Sequence, residues 1–256
     1  MCASPSPCVA RAGSRRVADK PFACPAGTQK DGHVLDPAPA DVVLAAEALT
    51  PLAAVPDQDP RWEQLAVPTL WPADRALQHI TDALLYYAGH VARRADRRVP
   101  PLRTESFAPP SELLDNVLTA AHVLAGLLRD LGTGRAWHPS GQADAAGWTG
   151  MAVTEILVHG YDTATALGVT LPLPAQVCAR TVARVFPWMP TGTVAGTVAG
   201  TGAGMVAADQ LLLATTGRVH LDGLACDPDW WWQSAPLSEW DGQPRRRTAR
   251  CSQQPA

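Results

Sequence analysis

The stretch Ala145–Leu167, AAGWTGMAVTEILVHGYDTATAL, decides how the rest of the chain is read. It holds no Lys or Arg and only two acids, Glu155 and Asp162, with His159 between them. A helix that faces solvent carries charge along one face. This one has almost none, so protein must surround it on most sides. An ionised carboxylate in such a place needs a cation or a set of donors, because an uncompensated buried charge costs several kcal/mol or more. Glu155 and His159 stand at i, i+4, one turn apart on one face, and Asp162 follows three residues later. A local Glu–His hydrogen bond is the ordinary explanation of that spacing. The missing cations favour a metal ion ligated by both, and two ligands rarely suffice, so a third is expected from a neighbouring helix.

Working outward, the pattern stays mostly helical. Ala40 to about Thr50 repeats Val42, Val43, Ala46 and Leu49 at helical spacing. A second helix is predicted after Trp71, with Pro72 in a tolerated first-turn position, running to about Asp96 along Leu77, Ile80, Leu84, Ala88 and Val91. A third follows Ser111, read as an N-cap, and stops at Gly132. The charge-poor helix is the fourth, closed by Gly168, and a further helix is expected over Pro174 to about Phe186. His79 and His90 on the second helix and His122 on the third each flank an apolar stripe, and spacing alone does not choose among them as the third ligand.

Outside this core the reading is sparser. Residues 1–37 are rich in Pro, Gly, Ser and Arg without apolar period and are expected to be a disordered leader; 243–256, with Arg245, Arg246 and Arg247, are read as a disordered tail. Residues 38–170 are expected to form the metal-binding bundle and 171–242 a carboxy-terminal lobe. That lobe contains a Gly-Thr-Val-Ala connector at 191–206, a short helix at 207–216 and a strand at 219–221. Its Trp230, Trp231, Trp232 and Trp240 require somewhere to bury, and the bundle is the simplest partner.

The whole chain constrains the rest. With 256 residues no disulfide staples are needed for a core. The six cysteines form no C-x-x-C, so neither a zinc knuckle nor a redox dithiol is indicated and reduced thiols in a cytoplasm are expected. Its 21 basic and 24 acidic residues are mixed along the sequence, which disfavours nucleic acid as a partner. No apolar run reaches the ~18–20 residues a bilayer crossing demands, and no membrane association is expected.

The segment Thr154-Glu155-Ile156-Leu157-Val158-His159-Gly160-Tyr161-Asp162 has the form E-x-x-x-H-x-x-D. It resembles the signature of the mycothiol-dependent maleylpyruvate isomerase-like family within the DinB-like superfamily. That family places its third ligand eight residues after a Trp opening the second helix, a distance matched here by Trp71 and His79. The resemblance spans roughly 40–242, including the closing Ala235-Pro236-Leu237-Ser238-Glu239-Trp240-Asp241.

It implies a mainly α fold, a DinB-like four-helix bundle with a small α/β carboxy-terminal lobe, with a divalent metal, zinc first, held by His79, Glu155 and His159. It also implies mycothiol as the thiol, activated at the metal to attack a small electrophile, in a transferase or isomerase that is a monomer or homodimer. Asp162 is a candidate to orient His159 from outside the ligand set. Tyr86, two turns from His79, is a candidate cavity residue, and Arg218 a candidate for binding an anionic group of substrate or thiol. Two other readings keep the metal: a hydrolase that uses bound water, and a bundle that binds a metal or small molecule without catalysis. Neither H-E-x-x-H nor G-x-S-x-G occurs.

Overall fold

The computed structural model describes residues 36–102, 108–189, 211–212, 215–216 and 229–246. Arg218, the 191–206 connector, the expected strand at 219–221 and most of the expected helix at 207–216 lie outside them. The described chain is mainly helical, with five α-helices and two small antiparallel hairpins: α1 (Ala40–Glu47), β1 (Leu65–Ala66), β2 (Trp71–Pro72), α2 (Ala73–Ala92), α3 (Pro110–Leu131), β3 (Arg135–His138), β4 (Gly141–Asp144), α4 (Ala145–Leu167) and α5 (Ala175–Val185). No described helix is long and apolar enough to cross a membrane.

The charge-poor α4 packs against α1, α2, α3 and α5, which is why its sequence lacks a solvent face. Its ends are set locally. The Asp144 carboxylate accepts from the Gly147 N–H at the amino end, and Gly168 closes the carboxyl end at φ 67°, a left-handed conformation that glycine adopts without a Cβ penalty. The first helix is shorter than its apolar period suggested, ending at Glu47 and passing into a 3-10 turn at Thr50–Ala54 that Pro51 opens. Ser111 is not an N-cap. Pro109 precedes α3, while the Ser111 N–H and hydroxyl both donate to Asp57 at 2.8 Å and tie α3 to the loop before β1.

One hydrophobic cluster runs through all five helices and takes in Trp231 and Trp232. Helices α4 and α5, on either side of the boundary expected at residue 170, both contribute to it. Among the described residues the strands sit at 65–72 and 135–144, and the strand expected at 219–221 lies outside them. Residues 230–246 form a strap across the amino end of α4. Arg184, 2 % exposed, anchors it by donating to the carbonyls of Gln233 and Ser234 while pairing with Asp144 at 2.6 Å. Gln243–Arg246, expected in a disordered tail, belong to the strap: the Trp231 N–H donates to the Arg245 carbonyl at 2.9 Å, and Arg246 bridges to Trp230.

The strap lies so close to α4 that a Cβ on Gly147 would run into the Ser234 carbonyl oxygen. Gly147→Ala would gain up to about 1 kcal/mol of helix propensity. A clash with a backbone held from both sides costs about 1–3 kcal/mol, and the backbone has no rotamer with which to escape. The variant is therefore expected to be less stable than wild type, by about 1–2 kcal/mol in urea unfolding followed by tryptophan fluorescence. A more stable variant would contradict the pinned strap.

Candidate metal centre

Three side chains from two helices meet at one point. His79 comes from α2, and Glu155 and His159 from α4, and all three are buried at 5 %, 9 % and 5 % exposure. His79 Nε2 lies 3.5 Å and His159 Nε2 3.3 Å from the same oxygen, Glu155 Oε2. Every pair of these ligand atoms lies within 4.8 Å, so the three could hold one ion. The two imidazoles stand edge to face, ring centroids 4.7 Å apart at 82°.

These separations fit an ion better than they fit hydrogen bonds. A charge-assisted N–H···O bond closes to about 2.7–2.9 Å. Two ligand atoms each about 2.0–2.2 Å from a tetrahedral zinc stand about 3.3–3.6 Å from each other. Moreover, His79 Nε2 has no hydrogen-bond partner among the described residues although it is fully buried. A buried polar atom without a partner is costly unless something supplies one.

Protonation states agree with a ligand role. Burial pushes the His79 imidazole below its ordinary value, despite the opposing pull of the Glu155 carboxylate beside it, and keeps it neutral. Burial alone would raise the Glu155 carboxyl, but the His159 and His79 rings beside it outweigh burial and hold the group well below the usual carboxylate range. Neutral imidazole and ionised carboxylate are the forms that ligate a cation.

Of the three histidines left open by spacing, the structure brings only His79 to Glu155 and His159. The His90 ring is occupied by backbone, with Nδ1 2.9 Å from the Tyr86 carbonyl and Nε2 accepting from Val99 N–H. His122 is exposed on α3. Asp162 is 1 % exposed and faces His159, its Oδ2 3.9 Å from Nδ1, which is beyond a direct hydrogen bond. Trp71, the residue from which His79 was counted, stacks on the site itself, with ring centroids 4.8 Å from His79 and 5.8 Å from His159.

The tyrosine that reaches the carboxylate is Tyr87, whose hydroxyl donates to Glu155 Oε1 at 3.1 Å. Tyr86, the expected cavity residue, places its ring against Tyr87 and His90. Sequence reasoning also passed over His138, which lies 3 % exposed in a nest of rings. Its neighbours are Tyr87 at 6.0 Å, Trp148 at 5.3 Å, Trp231 at 5.8 Å and Trp232 at 5.9 Å. The only signal for Tyr87 was the Tyr86-Tyr87 pair on the face turn of a helix already suspected; for His138 there was none, since its hairpin was not foreseen.

Compared with protein-family models, curated proteins and solved structures, the chain matches none.

Proposed function

We propose that this chain is a metal-dependent, mycothiol-dependent enzyme of the maleylpyruvate isomerase or S-transferase type, with His79, Glu155 and His159 as the metal ligands. The observation that supports it most directly is the convergence of two imidazole Nε2 atoms on one carboxylate oxygen at ligand-to-ligand spacing. Three protein ligands leave coordination positions open, the arrangement of a catalytic rather than a structural site. A divalent cation, zinc in the first instance, supplies Lewis acidity there and lowers the pKa of a bound thiol or water.

The protein's own groups have separable roles. Glu155 brings the negative charge that offsets a dication. His79 and His159 ligate as neutral rings. Trp71 covers both rings on one side and limits water around them. Asp162 lies where its carboxylate favours an Nδ1–H tautomer of His159, leaving Nε2 free to ligate. The thiol and the small electrophile are carried by the E-x-x-x-H-x-x-D and Trp71–His79 resemblance, and Arg218 is proposed with them as an anion-binding residue.

The test is metal analysis of the purified protein, then conjugation of mycothiol to a haloarene and isomerisation of maleylpyruvate, with and without added zinc. Wild type is expected to carry about one divalent metal per chain and to consume thiol or isomerise substrate only when loaded. His79→Ala is expected to lose both. Equal metal in the two proteins overturns the ligand set. Metal binding with neither thiol reaction overturns the mycothiol reading and favours the hydrolase or the binding bundle.

A further inference from the structure

Glu155 presents its two oxygens to different partners. Oε2 faces both imidazole Nε2 atoms, while Oε1 accepts from the Tyr87 hydroxyl at 3.1 Å. Tyr87 is held for this contact by rings on its other sides: Trp148 at 5.1 Å, His138 at 6.0 Å and Tyr86 at 6.0 Å. It is 3 % exposed, so neither solvent nor an alternative rotamer competes for the hydroxyl.

We infer that Tyr87 is a positioning residue that keeps Glu155 a one-oxygen ligand, turning Oε2 to the metal and withholding Oε1. The inference rests on the metal reading above and adds to it a determinant of coordination number. A carboxylate free to rotate about its last bond can present both oxygens to one ion. A second carboxylate oxygen would take a position that an incoming thiol or water needs. A hydrogen bond fixed by a packed phenol ring prevents that rotation, and outer partners of this kind typically change metal affinity about 10–100-fold when removed. The phenol suits the task because it adds no charge to a site already holding one carboxylate.

Tyr87→Phe removes the hydroxyl and leaves the ring that Trp148 and His138 pack against. Zinc affinity is expected to fall about 10–100-fold in competition with a chromophoric chelator. In the cobalt-substituted protein the visible ligand-field bands are expected to weaken, as they do when coordination number rises from four. Those bands report the ion's geometry and would not respond to a side chain that only fills space. Unchanged affinity together with an unchanged cobalt spectrum overturns the assignment of Tyr87 while leaving the three ligands standing. A wild type that binds neither zinc nor cobalt overturns both.

Should Tyr87→Phe fail to fold, wild type labelled with 13C at the tyrosine Cζ supplies the same answer. Of the chain's three tyrosines, the Tyr87 resonance is expected to move on zinc addition, because its hydroxyl is bonded to a ligand. A resonance indifferent to zinc overturns the inference.

Discussion

On the proposed ligand set, zinc is expected to stabilise the folded chain and Glu155→Gln to abolish that stabilisation. A ligand that binds only the native state at 100 times its Kd adds about 2.7 kcal/mol. In a chain of this size that corresponds to a rise in melting temperature of roughly 5–10 °C. The wild-type protein should show this rise, because His79 Nε2, His159 Nε2 and Glu155 Oε2 are already gathered and need little rearrangement. Glutamine keeps the shape and an acceptor for the Tyr87 hydroxyl but brings no charge. Two neutral imidazoles are then left to offset a dication in a buried site, and affinity should fall more than about 100-fold, beyond what outer partners contribute. Thermal unfolding of both proteins with and without zinc, with a chelator as reference, measures it. A zinc-dependent shift of equal size in Glu155→Gln would show that the ion is held elsewhere.

Acid is expected to unfold the protein through a residue outside the metal centre. Burial depresses the His138 imidazole to about 3, with nearby His90 adding to the shift and Glu155 opposing it. The ring is neutral in the fold, its Nδ1 accepting from the Ser140 N–H at 3.2 Å and paired with the Ser140 hydroxyl at 2.6 Å. In the unfolded chain the same ring takes up a proton near its ordinary value of 6.5. Between these values the unfolded state binds the extra proton, so stability is lost as pH falls from 6.5 towards 3, in all on the order of 5 kcal/mol.

Between pH 7.5 and pH 5 the His138 share is about 2 kcal/mol. His79 and His90, also depressed by burial, act in the same direction. Urea unfolding at the two pH values, with chelator present so that the triad carries no metal, should show the loss. His138→Asn, which retains an acceptor near the Ser140 N–H, should be less stable overall but flatter with pH by about 2 kcal/mol. Parallel pH profiles would sink this account.

What could be read from sequence followed from burial, and what could not followed from crossing geometry. Helix α4 was legible with its bounds, because a helix packed on four neighbours must shed its charges and because Gly168 closes it with backbone chemistry visible in the letters; the Asp144 cap emerged only from the structure. Glu155 and His159 followed, since a lone acid in such a helix demands a partner. His79 did not follow from helix α2 alone: His90 has the same composition-level credentials and differs only in being bonded to the backbone at Tyr86 and Val99.

Tyr87 was missed by one position. Adjacent residues point roughly 100° apart around the axis, and seven residues after His79 is nearer to straight down the helix than eight. Because α2 and α4 are separate helices whose contact stripe need not follow either axis, the neighbour that meets Glu155 is the eighth. The β3–β4 hairpin, too short and polar to alternate clearly, hid His138. The strap was half legible. Its tryptophans were expected to bury against the helices, and Trp231 and Trp232 do so. The arginines after them looked solvated, but the Arg245 backbone and side chain are both bonded, to Trp231 and Gln233.

The strap's place in the chain orders events during translation. His79 and His159 leave the ribosome first, and Trp231 and Trp232 follow about seventy residues after His159. At about 5–20 residues per second that is an interval of several seconds. During it the two helices that carry the ligands can pair while the aromatic wall behind Tyr87 is still being made. The arrival of the two tryptophans completes the ring packing around His138, so that part of the core closes last.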